Sequence, residues 1–361
     1  MSFFRLIWSS LRFHARSHLG PLIGAAIGSA VLIGALIVGD SVRARLRNMA
    51  LARIGTSDVT LVGNDRFFRS QLANEVGGAA VLQVPGIVAT SDNAARANRV
   101  QILGVDDAFW KLSPGKADAR PVDGVVLNDR LARHLKVSTG DSVLLRIHKP
   151  SLLSRDSPIS PQEDTSVVVR LEVQGIADAD AFGHFNLQAS QVPPFNAFVP
   201  LALLQQRLEL PGKANLLLTK NSEGQQPADR LRSAWQLADA QLDFVQMTNQ
   251  PGLELRSERV FLDESITAAA LKAHPQASGV LTYFVNELRF EDRSTPYSIV
   301  AAVDRSILPD SIADNEILVS EWLAEDLGVK PGDELSLSYF VPGSAQQLIE
   351  RTNRFTVRTI V

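Results

Sequence analysis

One stretch near the start of the chain limits what this protein can fold into. Residues 19–39 read LGPLIGAAIGSAVLIGALIVG and contain no charged side chain. A helix of that length spans roughly 30 Å, which matches the thickness of the hydrocarbon core of a bilayer. A helix buried in a large soluble protein is the alternative, but such helices seldom run this far with arginines at both ends. The sequence therefore predicts a transmembrane helix over 19–39.

A cleaved signal peptide would also place an apolar stretch near the N-terminus. Its apolar region is about 7–15 residues long and ends at a site with small residues on either side of the cut. Here the apolar run is longer, and Asp40 and Arg43 follow it without such a site. We therefore predict that the segment remains in the mature protein as an anchor.

The first 18 residues combine apolar and basic side chains. MSFFRLIWSSLRFHARSH mixes aromatic and aliphatic residues with Arg5, Arg12 and Arg16, and it has no acidic residue. This composition predicts an interfacial amphipathic helix over 1–18, with a disordered leader as the alternative. A long segment after the span can translocate whatever its charge. We therefore place the N-terminus in the cytoplasm and the rest of the chain outside.

Small residues recur along one face of the predicted span. Gly20, Gly24 and Gly28 are spaced by four, which would let another membrane helix approach closely. This face predicts that the helix packs in a bundle, although glycine is also common in lone membrane helices.

The helical pattern continues beyond the span. Over 40–55, Val42, Leu46 and Met49 keep helical spacing, with arginines on the other face. We predict a stalk helix that ends near Gly55, and we expect the arginines at 43–53 to meet lipid phosphates.

A short segment occurs twice in the rest of the chain. Residues 125–145 read VVLNDRLARHLKVSTGDSVLL, and residues 317–337 read ILVSEWLAEDLGVKPGDELSL. They align without a gap at an offset of 192, which places Gly140 and Asp141 opposite Gly332 and Asp333. Each copy predicts a buried strand, a short helix, a Gly-Asp turn and a second strand. Asn128 and Ser320 are the predicted N-caps of the two helices.

The surroundings of the two copies also match. RVQILGVD at 99–106 pairs with YSIVAAVD at 297–304, and SVVVRLEVQGI at 166–176 pairs with RFTVRTIV at 354–361. The strand predicted over 196–208 has no counterpart in the second copy. One such copy occurs by itself in many small β-barrels, but two with matching flanks favour duplication. We therefore predict two related α+β units over 56–220 and 221–361, the second incomplete.

Composition excludes several kinds of function. Of 361 residues, 45% are hydrophobic and 21% are charged, which is typical of globular domains. A net charge of −3 gives no basic field for nucleic acid. The absence of cysteine removes disulfides, thiolate nucleophiles and thiolate metal sites.

No motif in the sequence predicts a catalytic, cofactor or metal site. A phosphate-binding loop G-x-x-x-x-G-K-[ST] is absent, and the six histidines lack metal-ligand spacing. The stretch over 176–191 holds Asp178, Asp180, His184 and Ser190, which would allow an anchored hydrolase, but no G-x-S-x-G accompanies them. We predict a solvated loop there, or a partner-contact surface that uses Phe182 and Phe185.

Two polar stretches predict connections between structured segments. Residues 149–166 are rich in Ser and Pro and predict an exposed loop. Residues 219–230, TKNSEGQQPADR, predict a linker between the two units.

The order of these segments resembles the FtsX-like, MacB-like permeases of ABC transporters. The stalk ending in GDSVRARLRNMALARIG, the strand DVTLV and the segment GVVLNDRLARHLKVSTGDSVLL carry the first part of the resemblance. LEVQGIADADAFGHFNL and NAFVPLALLQQRLELPGKANLLLTK are similar to the core extracytoplasmic domain of that family. These motifs are structural rather than catalytic, and together they cover most of the chain.

The resemblance implies a non-enzymatic permease subunit without a cofactor, in the bacterial inner membrane. Its partners would be a separate cytoplasmic ABC ATPase, membrane lipid, a second permease in a dimer and an extracytoplasmic client. Family members extract lipoproteins, export peptides or small molecules, or activate cell-wall hydrolases. The family has about three more membrane helices than the one found here, so we expect an N-terminal piece of a longer polypeptide, or else a short gene product. A membrane-anchored interaction or scaffold protein is the alternative function.

Overall fold

The structure is a computed structural model of the chain. It describes residues 3–116, 119–150, 166–188, 190–221, 226–248, 251–257, 262–304, 308, 312–342 and 348–361. The predicted loop over 149–166 therefore lies almost wholly outside the described residues, as do residues 222–225 of the predicted linker.

The secondary structure alternates short helices with strands after one long N-terminal helix. The helices are α1 (Phe3–Phe13), α2 (Ala15–Arg53), α3 (Gln71–Glu75), α4 (Asp107–Trp110), α5 (Asp129–Leu135), α6 (Leu201–Arg207), α7 (Pro227–Ala234), α8 (Glu264–Ala273) and α9 (Glu321–Leu327). The first ten strands are β1 (Val59–Val62), β2 (Phe68–Arg69), β3 (Gly78–Thr90), β4 (Arg96–Val105), β5 (Val125–Asn128), β6 (Ser142–His148), β7 (Ser166–Ala177), β8 (Phe195–Pro200), β9 (Lys213–Ala214) and β10 (Leu216–Thr219). The remaining strands are β11 (Leu242–Gln246), β12 (Leu253–Ser257), β13 (Val280–Phe290), β14 (Arg293–Val303), β15 (Glu316–Val319), β16 (Glu334–Pro342) and β17 (Leu348–Ile360).

The N-terminal helices expose apolar side chains to their surroundings. Helix α1 has no buried residue, and α2 runs unbroken for 39 residues through the predicted span and stalk. The apolar part of α2 is not buried against any described part of the chain, and its length and composition suffice to cross a membrane. Such a surface would be costly in water, so α2 meets the physical requirement for a bilayer helix.

The first unit is a closed ring of strands with a flanking extension. Its strands follow the order β1-β10-β3-β4-β8-β5-β7-β6, and β6 also pairs with β3, so six strands from β3 to β6 close on themselves. Successive side chains of a strand point to opposite sides of a sheet. Ile102 accordingly packs in one buried cluster with Leu127 and Leu145, whereas Leu103 packs in another with Phe109 and Phe198.

The first unit extends further along the chain than the sequence predicted. Its compact part comprises residues up to 149 and 166–239, rather than ending at 220. Asp239, which is 5% exposed, accepts hydrogen bonds from the backbone and guanidinium of Arg69, the shortest at 2.8 Å. Leu231 and Ala234 of α7 pack against the buried cluster around Leu72. An ion pair with a buried carboxylate and an apolar helix face therefore hold α7 to the first unit, which here ends at Asp239, whereas the predicted unit ended at 220.

The second unit, described from residue 240 onward, contains a smaller sheet. Its five strands follow the order β14-β13-β16-β17-β15, and β11 and β12 form a separate hairpin. Val285, Leu335 and Val357 lie in its buried cluster, which α9 covers with Ala324 and Leu327. The unit is thus a mixed α and β structure with its own core.

The two repeated segments have the same local structure. The Asn128 side chain accepts a bond from the Leu131 amide at 3.0 Å, and the Ser320 hydroxyl accepts one from the Leu323 amide at 3.4 Å, as the sequence predicted. Each helix ends in the left-handed region, α5 at Lys136 (φ 57°) and α9 at Gly328 (φ 74°). A left-handed residue satisfies the last carbonyls of a helix and turns the chain toward the next element.

The turns and strand registers also correspond. The amides of Gly140 and Gly332 donate to the carbonyls of Val173 and Val357 at 2.8 and 2.7 Å. In both units the first strand of the segment pairs in parallel with a later strand, β5 with β7 and β15 with β17. A register shift occurs at the same aligned position in each case, at Val125/Val126 and at Ile317/Leu318.

The segment predicted as one strand over 196–208 contains two elements. Strand β8 ends at Pro200, and helix α6 begins at Leu201. Pro200 has the extended backbone of a residue before a helix, and Leu204 and Gln205 are buried one turn further on. The apolar run therefore reflected a buried helix face as well as a strand.

Candidate functional site: the foot of the stalk helix

Helix α2 joins the first unit through a short connection. The helix ends at Arg53, and β1 begins at Val59. Gly55 lies between them in the left-handed region at φ 62°, and a Cβ on it would lie 2.2 Å from the carbonyl oxygen of Leu112. The Thr56 amide donates to that same carbonyl at 2.9 Å. The connection is therefore packed closely against the loop that follows α4.

Arg53 fixes the last turn of the helix to a distant loop. Its side chain lies inside the first unit, and the residue is 6% exposed. Nη1 donates to the Ser190 carbonyl at 2.6 Å and to the Ser190 hydroxyl at 3.2 Å, and Nη2 donates to the Gln191 carbonyl at 3.3 Å. Burial lowers the pKa of Arg53 from its usual value. Hydrogen bonds to a charged group are stronger than neutral ones, so this is a firm point of attachment.

The loop that receives Arg53 is itself bonded to the sheet. We call residues 178–188 and 190–194 the clamp loop. The Asn196 side chain in β8 donates to the carbonyls of Gly183 at 3.0 Å and Phe185 at 2.8 Å. The Asn128 side chain, besides capping α5, donates to the Pro194 carbonyl at 2.8 Å. Buried side-chain amides thus tie both halves of the clamp loop to strands of the closed ring.

Aromatic rings fill the space beneath the clamp loop. Phe109 stacks on Phe182 with ring centroids 4.8 Å apart and meets Phe185 edge to face at 5.3 Å. Trp110 and Phe198 extend the same cluster. Such ring contacts contribute packing energy beyond simple burial.

A cavity of about 330 Å³ lies between the end of α2 and the clamp loop. Met49, Ala52 and Arg53 line it from the helix. The clamp loop contributes the other lining residues: Ala179, Phe182, His184, Phe185, Gln191 and Pro193. The C-terminal end of α2 is therefore held by the hydrogen bonds of Arg53, while the cavity leaves free volume beside Met49.

The residues that would allow a hydrolase do not meet as a catalytic group among the described contacts. The Ser190 hydroxyl donates to the Val192 carbonyl at 2.7 Å and accepts from Arg53. His184 pairs through Nε2 with Asp129 at 2.7 Å instead of with the serine. Asp178 accepts from the Ala181 amide within its own turn. These contacts are those of a structural loop.

The alternative of a partner-contact surface through Phe182 and Phe185 is wrong. Both side chains are only 1% exposed because they belong to the aromatic cluster. The prediction of a solvated loop holds for Asp178, Ala179 and Asp180, which are exposed, but not for the two phenylalanines.

The other predicted site residues lie on α2 and in the repeated turns. A Cβ added at Gly20, Gly24 or Gly28 would meet nothing within 4 Å, so this face is open in the chain as described. Val42 is 49% exposed, whereas Leu46 and Met49 are half-buried near the foot of the helix. Gly140 and Gly332 have φ of 95° and 98°, and the carboxylates of Asp141 and Asp333 accept bonds at 2.7 and 2.8 Å within the same turns. Among the described residues no group of histidines and carboxylates could hold a metal ion.

Sequence reasoning missed the two residues that build this joint. Arg53 was grouped with the stalk arginines that we expected to meet lipid phosphates, but it is buried and bonded to backbone carbonyls. Asn196 was read only as part of an apolar strand. Their partners lie far away in the sequence or inside an irregular loop, so no periodicity reveals them.

Comparison with known proteins gives one match to a family over most of the first unit. The model of the MacB-like periplasmic core domain matches residues 22–234. This range begins within α2 and ends at the last residue of α7. A comparison with curated proteins finds no match.

Two solved structures are also similar to the chain. The periplasmic region of MacB from Actinobacillus actinomycetemcomitans has 11% identity and a TM-score of 0.34, over 62% of this chain and 96% of that one. The extracellular domain of the noncanonic ABC-type transporter YknZ from Gram-positive bacteria has 12% identity and a TM-score of 0.30, over 49% of this chain and 88% of that one.

Proposed function

The chain belongs to the family of the MacB-like periplasmic core domain, and from this premise we propose that it is the non-enzymatic, membrane-anchored part of an ABC transporter permease. A separate cytoplasmic ATPase drives it, and the permease passes the resulting motion to its extracytoplasmic units. The action outside is export or the handling of a lipoprotein or other substrate.

The observation that carries this proposal is the unbroken helix α2 with Arg53 buried at its end. A helix of 39 residues is about 58 Å long at 1.5 Å per residue. The helix continues from Pro21 to Arg53 without another proline, so in this proposal it carries a tilt or rotation imposed in the membrane to Arg53. The fourteen residues from Asp40 to Arg53 extend about 21 Å beyond the span.

The clamp loop carries the motion onward in this proposal. Displacement of Arg53 pulls on the carbonyls of Ser190 and Gln191, and Asn128 and Asn196 connect the same loop to β5 and β8. The cavity beside Met49 gives the foot of the helix room to shift while Arg53 remains bonded.

The remaining parts of the proposal concern the membrane. The N-terminus with α1 lies at the cytoplasmic face of the inner membrane in contact with lipid, and both units lie outside it. Open glycines at 20, 24 and 28 support close packing with another membrane helix, in the same permease or in a dimer. The matched turns and registers support the origin of the two units as related copies, of which the second lacks part of the first.

Purification from the membranes of the host organism tests the proposal. The tagged chain, solubilised in mild detergent, is expected to bring down an ABC ATPase. Amide hydrogen exchange over 178–194 is then measured with and without a non-hydrolysable ATP analogue. We expect exchange in the clamp loop to change when nucleotide binds.

Variants of two arginines separate transmission from assembly. Arg53→Gln is expected to keep the ATPase but to lose most of the nucleotide-dependent change in the clamp loop. Arg232→Gln is the matched control, because the Arg232 side chain is 81% exposed on α7 of the same unit. Absence of any ATPase would favour an anchored scaffold, and an unchanged nucleotide response in Arg53→Gln would show that motion takes another route.

A further inference from the structure

The sheet of the second unit is the ring of the first unit with one strand missing. In the first unit β4 and β5 are joined through β8, which pairs in parallel with β4 and antiparallel with β5. In the second unit the corresponding strands are β14 and β15, and they form the two ends of the sheet order. Within the described residues no strand lies between them. In the part that the structure describes, the second unit is therefore an open ring with a gap one strand wide.

Helix α9 bridges one end of this gap, as α5 does in the first unit. Asp326 of α9 and Thr295 of β14 are hydrogen bonded. At the corresponding place His134 of α5 contacts the Arg96 carbonyl of β4 at 3.3 Å. The corresponding helix therefore contacts the corresponding strand in both units.

The exposure of side chains beside the gap indicates which residues a strand in the gap would cover. Leu103 and Val126, which face β8 and the cluster outside the ring, are both fully buried. Their counterparts in the second unit are Ala301, which is exposed, and Leu318, which is half-buried. An open strand edge with apolar side chains is a liability that proteins normally cover.

The sequence of β8 indicates which side chains a segment in the gap would need. Its sequence is FNAFVP, in which Ala197 and Val199 point into the ring and Phe198 points into the outer aromatic cluster. A fitting segment therefore has small or medium apolar residues at alternate inward positions and a large apolar residue between them. It adds main-chain hydrogen bonds to two edges at once.

Chain order in the first unit indicates where this segment comes from. There β8 follows β7, the strand that pairs in parallel with β5. The strand that pairs in parallel with β15 is β17. We propose that an extended segment occupies the gap between β14 and β15. This segment follows β17 in the same polypeptide and has the alternating apolar residues of β8. This inference does not depend on the ATPase.

A peptide with the sequence of residues 193–202, PPFNAFVPLA, tests whether the gap accepts such a strand. Added to the chain of residues 1–361 in detergent, it should slow amide exchange over 298–303 and 316–319 by about tenfold or more. The control peptide carries Ala197→Asp and Val199→Asp and should give no protection. Exchange in β16, which is away from the gap, should not change with either peptide.

The source of the segment is tested with the polypeptide produced by the native gene, identified by its intact mass. We expect a longer product whose amides over 298–303 are protected without peptide and gain nothing from it. The proposal is overturned if the native product ends at Val361, or if a longer product still binds the peptide at these amides. Protection that depends on protein concentration would assign the gap to a second copy and also overturn it.

Discussion

Gly55 is the residue at which the backbone leaves helix α2, and both its conformation and its surroundings restrict it. Its φ of 62° disfavours any side chain, and a Cβ would lie 2.2 Å from the Leu112 oxygen and 3.0 Å from the Phe182 ring. We expect Gly55→Ala to destabilise the first unit by about 3 kcal/mol, from left-handed strain of about 1 kcal/mol and a backbone contact that must open. Thermal unfolding followed by tryptophan fluorescence measures the change.

Gly212 is the matched control for Gly55. Its φ of 66° is almost the same, but a Cβ there would meet nothing within 4 Å. Gly212→Ala should therefore cost only the conformational strain, about 1 kcal/mol. Equal losses in the two variants would contradict the view that Gly55 is needed for the close approach of the helix foot.

Among the stalk arginines, the burial of Arg53 could not be predicted from the sequence. Spacing placed Val42, Leu46 and Met49 on one face, of which Leu46 and Met49 are half-buried and Val42 is 49% exposed. It could not single out Arg53, because burial of that side chain depends on Ser190 and Gln191, more than 130 positions away. Asn128 and Ser320 were predictable because a helix cap is a local interaction between residues three apart.

At the scale of elements, the two capped helices α5 and α9 provide an internal comparison. Ser320 is exposed and only caps α9, so Ser320→Ala should cost about 1 kcal/mol. Asn128 is fully buried and also donates to the Pro194 carbonyl of the clamp loop. Asn128→Ala should therefore cost about 3 kcal/mol, because it removes the cap and leaves a carbonyl without its donor. Chemical denaturation of each variant measures both values.

Asn128→Ser separates the two roles of this side chain. Serine can still cap α5 through its oxygen, but its shorter side chain has no atom in the place of Nδ2, which donates to the Pro194 carbonyl. We expect it to retain the stability of the helix while exchange of the clamp-loop amides becomes faster. Exchange as slow as in the unmodified protein would show that the bond to Pro194 does not hold the loop.

An ion pair with a buried carboxylate contributes to the attachment of residues 227–239 to the first unit. Asp239 accepts from the Arg69 guanidinium, and the hydrogen bonds that Arg69 donates to Asp239 and then to Glu75 raise its pKa. Asp239→Ala leaves the Arg69 charge with only Glu75, which is partly exposed, so we expect a loss of about 3 kcal/mol. Amide exchange over 227–240 should rise with it. Glu75→Ala is the control, with a loss of about 1 kcal/mol or less.

The boundary between the units shows why element positions were easier to predict than domain limits. Gly and polar residues over 219–230 suggested a linker, and the strand that precedes them does end at Thr219. Among the contacts that keep α7 on the first unit is the one between Asp239 and Arg69, which are 170 positions apart. A turn follows from local composition, whereas membership in a unit depends on such long-range contacts.

At the scale of the whole molecule, the sheets of the two units have corresponding strand orders. The likeness of residues 125–145 and 317–337 was visible in sequence because Gly140 and Gly332 both adopt φ near 95° and because both first strands are apolar. The pairing order was not visible, and this order shows the ring in the first unit and, among the described residues, an open strand order in the second. The strand proposed to complete it is inferred from topology.

The last prediction concerns the orientation of the chain in the membrane. The absence of cysteine makes this orientation simple to test by labelling single introduced cysteines. Ser10→Cys lies on α1 before the apolar segment, and Ser91→Cys lies in the exposed turn between β3 and β4. If the N-terminus is cytoplasmic, a membrane-impermeant maleimide should label Ser91→Cys in intact spheroplasts and label Ser10→Cys only after lysis. Each variant serves as the control for the other, because both side chains are exposed. The reverse pattern would invert the topology, and labelling of both in intact spheroplasts would mean that α2 does not cross the membrane.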